Sequence, residues 1–556
     1  MVKIKRIKIQ NFRSIKSLEF FPASVCALVG ENGVGKTNIL AALDFLLGEK
    51  WPSNQRLEVS DYFQHDERRE IFVGIEFEQN AYDIQFICFK QGFEKGQNRI
   101  GYFSNPCTDL KQAAFLKTEH REKCAMTYLE ASRDLDRHLG TSPWTLFGRI
   151  TSQFNADFPE ASIEPLEAHF EGALELLRTP RFQQFEAEIE TAFRDQLKRT
   201  THNLRLEFKA FDPQSYYRSI NLVLRRGKDE RLRLPEAGQG MRNLALLALF
   251  RAYATVFKGD AIIAIEEPEI YLHPHAQRSL ASLFNDLAER ENQVFFSTHA
   301  SSFVDLEHFD QVCLVERCVD DDGEQCTTVR QVSAEQFLEE RQKLHPSISM
   351  TTDSVKKRLH NISRLEHSEV FFARKAVLVE GETEQYALPI FADCLSYNLD
   401  SFGVSIINAG GKNNLDQFFQ LYNAFGIPVY VIFDNDQGKP DKELEQNRVL
   451  LRMLHQPETL NPEPEISATY AVLNIDFETE MRNAIGSENY DSLCKDAAYE
   501  LGSNPGKGLR ARYMAQRLAD EGIVPNFISD IVRAIRVLGD IDVEVANGDF
   551  PEEFPF

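Results

Sequence analysis

The sequence predicts an α/β protein with two sheet-bearing parts, and three observations point to it. An apolar run, Val25–Val29, leads through a glycine loop into helical spacing over 38–48. A charged, helically patterned stretch, 106–205, interrupts the first part. Three further apolar runs, 375–379, 403–408 and 428–433, alternate with helical segments, as a parallel sheet requires. At 556 residues the chain exceeds a single core. It divides into a head in two pieces, 1–105 and 206–345, flanking the insertion 106–205. A connector (346–370), a second α/β domain (371–500) and a C-terminal helical segment (501–556) follow.

Residues 3–10 alternate as a strand, Asn11-Phe12-Arg13-Ser14 turns out of it, and Leu18-Glu19-Phe20 begins a second. The loop Gly30-Glu31-Asn32-Gly33-Val34-Gly35-Lys36-Thr37 fits G-x-x-x-x-G-K-[ST] between a buried strand and a helix. Its glycines let backbone N–H groups close around phosphate oxygens, and the helix N-terminus adds favourable partial charge. Asn32, Gly33, Gly35, Lys36, Thr37 and Asn38 are therefore the expected nucleotide contacts. Lys36 would reach the outer phosphates and Thr37 would ligate Mg²⁺. Residues 70–77 and 84–89 read as paired strands, with Gln64 in the preceding loop a weaker metal or nucleotide contact.

The insertion carries no evident catalytic group and reads as a dimer-forming helical arm. Strand character returns at 204–208 and 222–225. Gly238 and Gly240 then open an apolar helix and offer N–H groups to an anion. The buried strand 261–265 ends in Glu266-Glu267, which is costly unless the carboxylates hold a cation or a water. Glu266 would act through the Mg²⁺ shell, and Glu267 would orient and deprotonate the attacking water. A strand ending at His299 would bring that imidazole to the γ-phosphate.

In the second part, Glu380 and Glu384 follow the first strand, and Asp434 and Asp436 follow the third. Functional groups of such sheets collect at the carboxyl ends of the strands. Four carboxylates on one edge repel unless divalent cations bind them, and oxygen ligands with open positions suit Mg²⁺ or Mn²⁺. A solvated acidic rim is the alternative. Glu478 or Glu480 could complete a second metal site, and Lys507 could stabilise the phosphoryl group.

Composition narrows the function. The net charge of −23 opposes indiscriminate nucleic-acid binding but allows a local basic groove, with candidates Lys198/Arg199, Arg225/Arg226/Lys228 and Lys356/Lys357/Arg358. No apolar run approaches the roughly 20 residues that span a bilayer. The nine cysteines contain no Cys-x-x-Cys pair, so a reduced, cytoplasmic protein without membrane contact is expected.

The order of phosphate loop, glycine turn, acidic strand and histidine strand resembles the ABC-type heads of structural-maintenance (SMC-like) and recombination-repair ATPases, over 1–345. That resemblance implies paired heads with nucleotides sandwiched between subunits, hence at least a homodimer, with the Gly238 turn covering the γ-phosphate bound opposite. Glu266 stands where the pattern has Asp, and Glu236-Ala237 replace the usual serine of the turn, which implies slow or regulated ATP hydrolysis. The carboxylate spacing of the second part resembles the Toprim fold, in which such residues carry two-metal phosphodiester chemistry. An ATPase head fused to a Toprim domain resembles the OLD (overcoming-lysogenization-defect) nuclease family, which includes the Gabija anti-phage nuclease subunit. Tyr128-Leu129-Glu130-Ala131-Ser132-Arg133-Asp134-Leu135 resembles the segment before that family's dimerization arm, and the Lys507 segment its C-terminal lysine motif. The resemblance implies an ATP-binding, metal-dependent DNA endonuclease in anti-phage defence, with a helicase or other defence component as a possible partner. The alternative is a non-nucleolytic DNA-repair ATPase whose Toprim domain only binds DNA or a partner.

Overall fold

The computed structural model describes residues 3–78, 84–91, 99–103, 114–131, 145–162, 164–166, 179–196, 217, 220, 223–226, 230–233, 236–256 and 261–539. The head contains two large sheets. One is antiparallel, in the order Ile15–Phe20, Ile4–Phe12, Phe72–Phe77, Phe86–Lys90, Arg99–Phe103, Ala114–Phe115. The other runs Gln325–Arg330, Val312–Val319, Val25–Val29, Gln293–Ser297, Ile262–Glu266, Met126–Leu129, and is parallel apart from its antiparallel edge Gln325–Arg330.

Val25–Val29 is buried along its whole length because both faces of its sheet are covered. Val25, Ala27 and Val29 enter one core, while Cys26 and Leu28 enter a second with Ile39, Leu40, Leu43 and Leu46 of the helix Lys36–Leu47. That helix packs between the two sheets, so the glycine loop is clamped at the end of a central strand.

The second domain is a five-stranded sheet ordered Val404–Asn408, Lys375–Val379, Val429–Asp434, Tyr470–Leu473, Glu465–Ile466, with only the last pairing antiparallel. Lys375–Val379 and Val429–Asp434 are parallel neighbours, so the strand ends carrying Glu380 and Asp434 lie side by side. Val377, Val379, Tyr430 and Ile432 face a core closed by the helices Glu382–Cys394, Lys507–Asp520 and Asn526–Val537.

One expectation is corrected. Met126–Leu129 lies within the span read as a helical insertion, yet it pairs parallel with Ile262–Glu266 and extends the head's sheet. A strand of four residues is too short to show a period of its own; its partner lies more than 130 residues away. The connector, a charged segment with the helix Thr352–Ile362, also packs into the core. Val355 and Leu359 of the helix Thr352–Ile362, with Val370 and Phe371, join the core shared by Val29 and Phe309 of the head and Leu378 and Val431 of the second domain. Arg341 NH1 donates to Asp416 Oδ2 at 2.6 Å, with both side chains 1% exposed, and this buried ion pair ties the helix Ala334–Leu344 to the helix Lys412–Ala424. No helix among the described residues is long and apolar enough to cross a membrane.

Candidate functional site

At the phosphate loop, Gly30 (φ 135°) and Gly35 (φ 113°) occupy left-handed backbone that a side chain would strain. A Cβ at Gly30 would overlap the Val315 carbonyl oxygen, and one at Gly35 the Thr327 hydroxyl. Lys36 is buried and donates to the carbonyls of Gly30 (2.9 Å) and Glu31 (2.8 Å). Burial lowers its ammonium to about 8, against the pull of Glu267, Glu269 and Glu31. Asn32, Gly33 and Thr37 are exposed at the loop. Asn38 turns its amide away to the Ser14 hydroxyl at 2.7 Å, so its side chain serves the loop's anchorage rather than a phosphate.

The acidic strand delivers its carboxylates next to this loop. Glu266 is buried; it accepts from the Tyr128 hydroxyl and from the Ala131 N–H at 3.0 Å. Thr37 and Glu266 line one cleft together with Arg13, Asp61 and Glu130. Glu267 sits in left-handed backbone (φ 41°), its N–H on the Ser297 carbonyl at 2.9 Å. Its Oε1 lies 3.9 Å from His299 Nε2. Burial, helped by Lys36, lowers the His299 imidazole despite Glu267. The His299 N–H donates to Glu269 Oε1 at 2.6 Å, which fixes the turn. Gly238 precedes the helix Gln239–Val256 and is exposed, as are Met241, Leu244 and Tyr271 nearby.

The second cluster lies on the edge of the other sheet. Glu380 Oε1 accepts the Asp434 N–H at 2.8 Å, which brings the two strand ends into direct contact. Glu384, in the first turn of the helix Glu382–Cys394, is 4% exposed. Burial raises the Glu384 carboxyl to about 8, with Glu380 and Glu478 adding to the effect. Burial likewise raises Glu380 and Asp434, and for Asp434 the neighbouring Glu380, Glu384 and Asp436 push further. Asp434 Oδ1 is buried and has no hydrogen-bond partner among the described residues. Asp436 behaves oppositely. Burial pushes it up, but Lys412 at 2.8 Å and Lys439 at 2.6 Å outweigh burial and lower it.

An unpartnered buried carboxylate oxygen among protonation-prone carboxyls suits a divalent cation as ligand. Across a cleft, Lys507 Nζ lies 3.2 Å from Glu478 Oε1. Burial works against the Lys507 ammonium, yet Glu478, Asp476 and Asp434 together raise it. Glu480 does not join this group: its Oε1 accepts the Asn474 N–H at 3.0 Å and closes a local turn. Glu478 is therefore the carboxylate of that pair facing the site.

Tyr128, Lys412 and Lys439 contact the candidate residues but carry no sequence expectation. Gly410-Gly411-Lys412, a second glycine-lysine turn after a buried strand, was the available signal for Lys412. Of the basic candidates, Lys356 pairs with Asp310 and Lys357 with Asp353, while Arg358 donates to the Asn413 carbonyl. Lys198, Arg199 and Lys228 lie outside the described residues.

Comparison with known proteins agrees with both halves. The model of the AAA ATPase domain matches residues 2–146 and 117–304. The model described as "Overcoming lysogenization defect protein-like, TOPRIM domain" matches 371–436. The chain is similar to the OLD nuclease of Thermus scotoductus, with 27% identity over 470 residues covering 80% of this chain and 84% of that protein. It is 24% identical to the Old nuclease of Escherichia phage P2, covering 78% of this chain and 77% of that one. Endonuclease GajA of Bacillus cereus (strain VD045) is 22% identical, covering 78% and 75%. With its model spanning over half of the length, the chain belongs to the AAA ATPase domain family, and an OLD-like Toprim domain follows that head.

Proposed function

We propose that the protein is an ATP-binding, divalent-metal-dependent DNA endonuclease that acts in anti-phage defence. The observation that carries this is the meeting of Glu380, Glu384 and Asp434 at adjoining strand ends, with Asp434 Oδ1 buried and unpartnered. These three would hold Mg²⁺ or Mn²⁺, with Glu478 facing them as a ligand for a second ion. When bound, such an ion supplies an activated water and neutralises charge on the phosphodiester. The protein's own groups do the rest. Glu380 and Asp434 are held by the sheet, so little reorganisation is needed. Lys507, exposed at the cleft, supplies positive charge to the phosphoryl oxygens.

In the head, the loop N–H groups and Lys36 would cradle ATP phosphates, with Thr37 and the anchored Glu266 at its magnesium. Glu267 would orient the attacking water, and His299 would contact the γ-phosphate. Gly238 and Gly240 open an exposed helix end suited to a nucleotide on a second copy of the chain, so a homodimer or larger homo-oligomer is part of the proposal. A helicase or other defence-system component as partner belongs to the same reading.

The test is purified protein incubated with supercoiled, linear and branched DNA, with Mg²⁺, Mn²⁺ or chelator, with and without ATP. Cleavage that requires the divalent ion is expected. Its absence on all three substrates under every divalent condition would overturn the proposal.

A further inference from the structure

The acidic edge contains a cation of its own. Lys412 opens the helix after Gly410-Gly411, and its side chain is 9% exposed. Its ammonium donates to Asp436 Oδ2 at 2.8 Å and to the Asp434 main-chain carbonyl, and lies 4.0 Å from Glu380 Oε1. The Phe433 ring flanks it, 5.6 Å from Nζ to centroid. Lys439 takes the other oxygen of Asp436 at 2.6 Å. Both oxygens of Asp436 are thus spent on ammonium groups. Asp434 Oδ1 has no partner, and Glu384 has no ion pair among the described residues. Asp436 is thus neutralised on both oxygens, Glu380 shares Lys412 only at 4.0 Å, and Glu384 and Asp434 have no ion pair among the described residues.

We propose that Lys412 is a positioning residue for the divalent-cation site. It neutralises Asp436 and so leaves Glu380, Glu384 and Asp434 as the set that takes a divalent ion first, with its charge rather than its packing setting the affinity. The inference rests on the metal-binding reading of this edge, but not on DNA cleavage.

The consequence has a sign that packing alone does not give. A fixed ammonium a few ångströms from a divalent ion repels it, so removing that charge tightens binding by on the order of tenfold. If Lys412 only packed the loop, its loss would loosen the carboxylates and weaken binding.

The experiment uses the full chain without nucleotide and Mn²⁺ alone as the probe, with free Mn²⁺ counted by electron paramagnetic resonance. Lys412→Met should bind Mn²⁺ on the order of tenfold more tightly than wild type. Lys412→Met/Asp436→Asn should return to near the wild-type affinity. Asp434→Asn should lose at least about ten times more affinity than Asp436→Asn, since only the former removes a direct ligand. A folded Lys412→Met that binds no tighter than wild type overturns the proposal. So does an Asp436→Asn variant as damaged as Asp434→Asn, a comparison that stands even if Lys412→Met fails to fold. Plasmid cleavage by the same preparations reports separately on the nuclease reading. Loss of cleavage with the Mn²⁺ pattern intact removes that reading and leaves this one.

Discussion

Lys36 and Lys412 both follow paired or single glycines at the end of a buried parallel strand, and both open a helix, yet they face different surroundings. Lys36 folds back onto two main-chain carbonyls of its own loop, groups it can leave when a phosphate arrives. Lys412 is locked on a carboxylate and a carbonyl beneath the acidic edge. The first site is made of N–H donors awaiting an anion. The second is made of buried carboxyls awaiting a cation. Two glycine-lysine helix starts thus serve opposite charges, and the difference lies in what surrounds each lysine: main-chain carbonyls of its own loop for Lys36, the carboxylates at the ends of the Toprim strands for Lys412.

The comparison assumes that both sites stand on one joined core, and its most severe test is there. Asp416→Asn leaves Arg341 buried without its counter-charge and should destabilise the fold by about 3–5 kcal/mol, read by chemical denaturation. A loss below 1 kcal/mol would separate the two halves. Glu380→Gln should lower DNA cleavage by more than about a hundredfold while nucleotide affinity stays at the wild-type value. Lys36→Ala should do the reverse, weakening nucleotide binding on the order of a hundredfold with Mn²⁺ binding at the edge unchanged. Affinity measured with a fluorescent ATP analogue decides it.

The protonation states sharpen the contrast further. Glu384 ionises near 4.3 in the unfolded chain but holds its proton to about 8 when folded. Between those values the folded state binds the extra proton, so the metal-free protein should lose stability as pH rises from about 4 to 8. Saturating Mn²⁺ should flatten that slope, and Mn²⁺ affinity should rise over the same range. Thermal melts across pH, with and without Mn²⁺, check both signs. The smallest effect concerns the contact between the sites. Arg374, just before the first Toprim strand, pairs with Glu31 of the phosphate loop at 2.6 Å, both largely exposed. Arg374→Gln should cost under about 1 kcal/mol of stability. A change in how ATP modulates cleavage in that variant would mark the pair as a line between the sites.

Much of this was legible in the sequence where burial is two-sided. Val25–Val29 and 376–379 are unbroken apolar runs because both faces of their sheets are covered, so their ends and the groups on them could be placed. Met126–Leu129 was not legible, because a four-residue edge strand is defined by its distant partner. Nor was the anchoring of Glu266 by Tyr128, which depends on that pairing. The connector's charges, Lys356 to Arg358, read as a candidate basic groove, while the inward Val355 and Leu359 make its helix part of the core. The role of Lys412 was signalled only by its glycines, because the carboxylates that enclose it come from neighbouring strands.

The central claim is that the carboxylates at the joined strand ends cut DNA with a divalent ion. The most direct measurement is nicking of supercoiled plasmid by wild type and by Asp434→Ala at matched concentrations in Mn²⁺, with nucleotide binding measured on both. Nicking by the wild type, lost in Asp434→Ala with ATP affinity intact, is the predicted result. Equal nicking by the two proteins would contradict it.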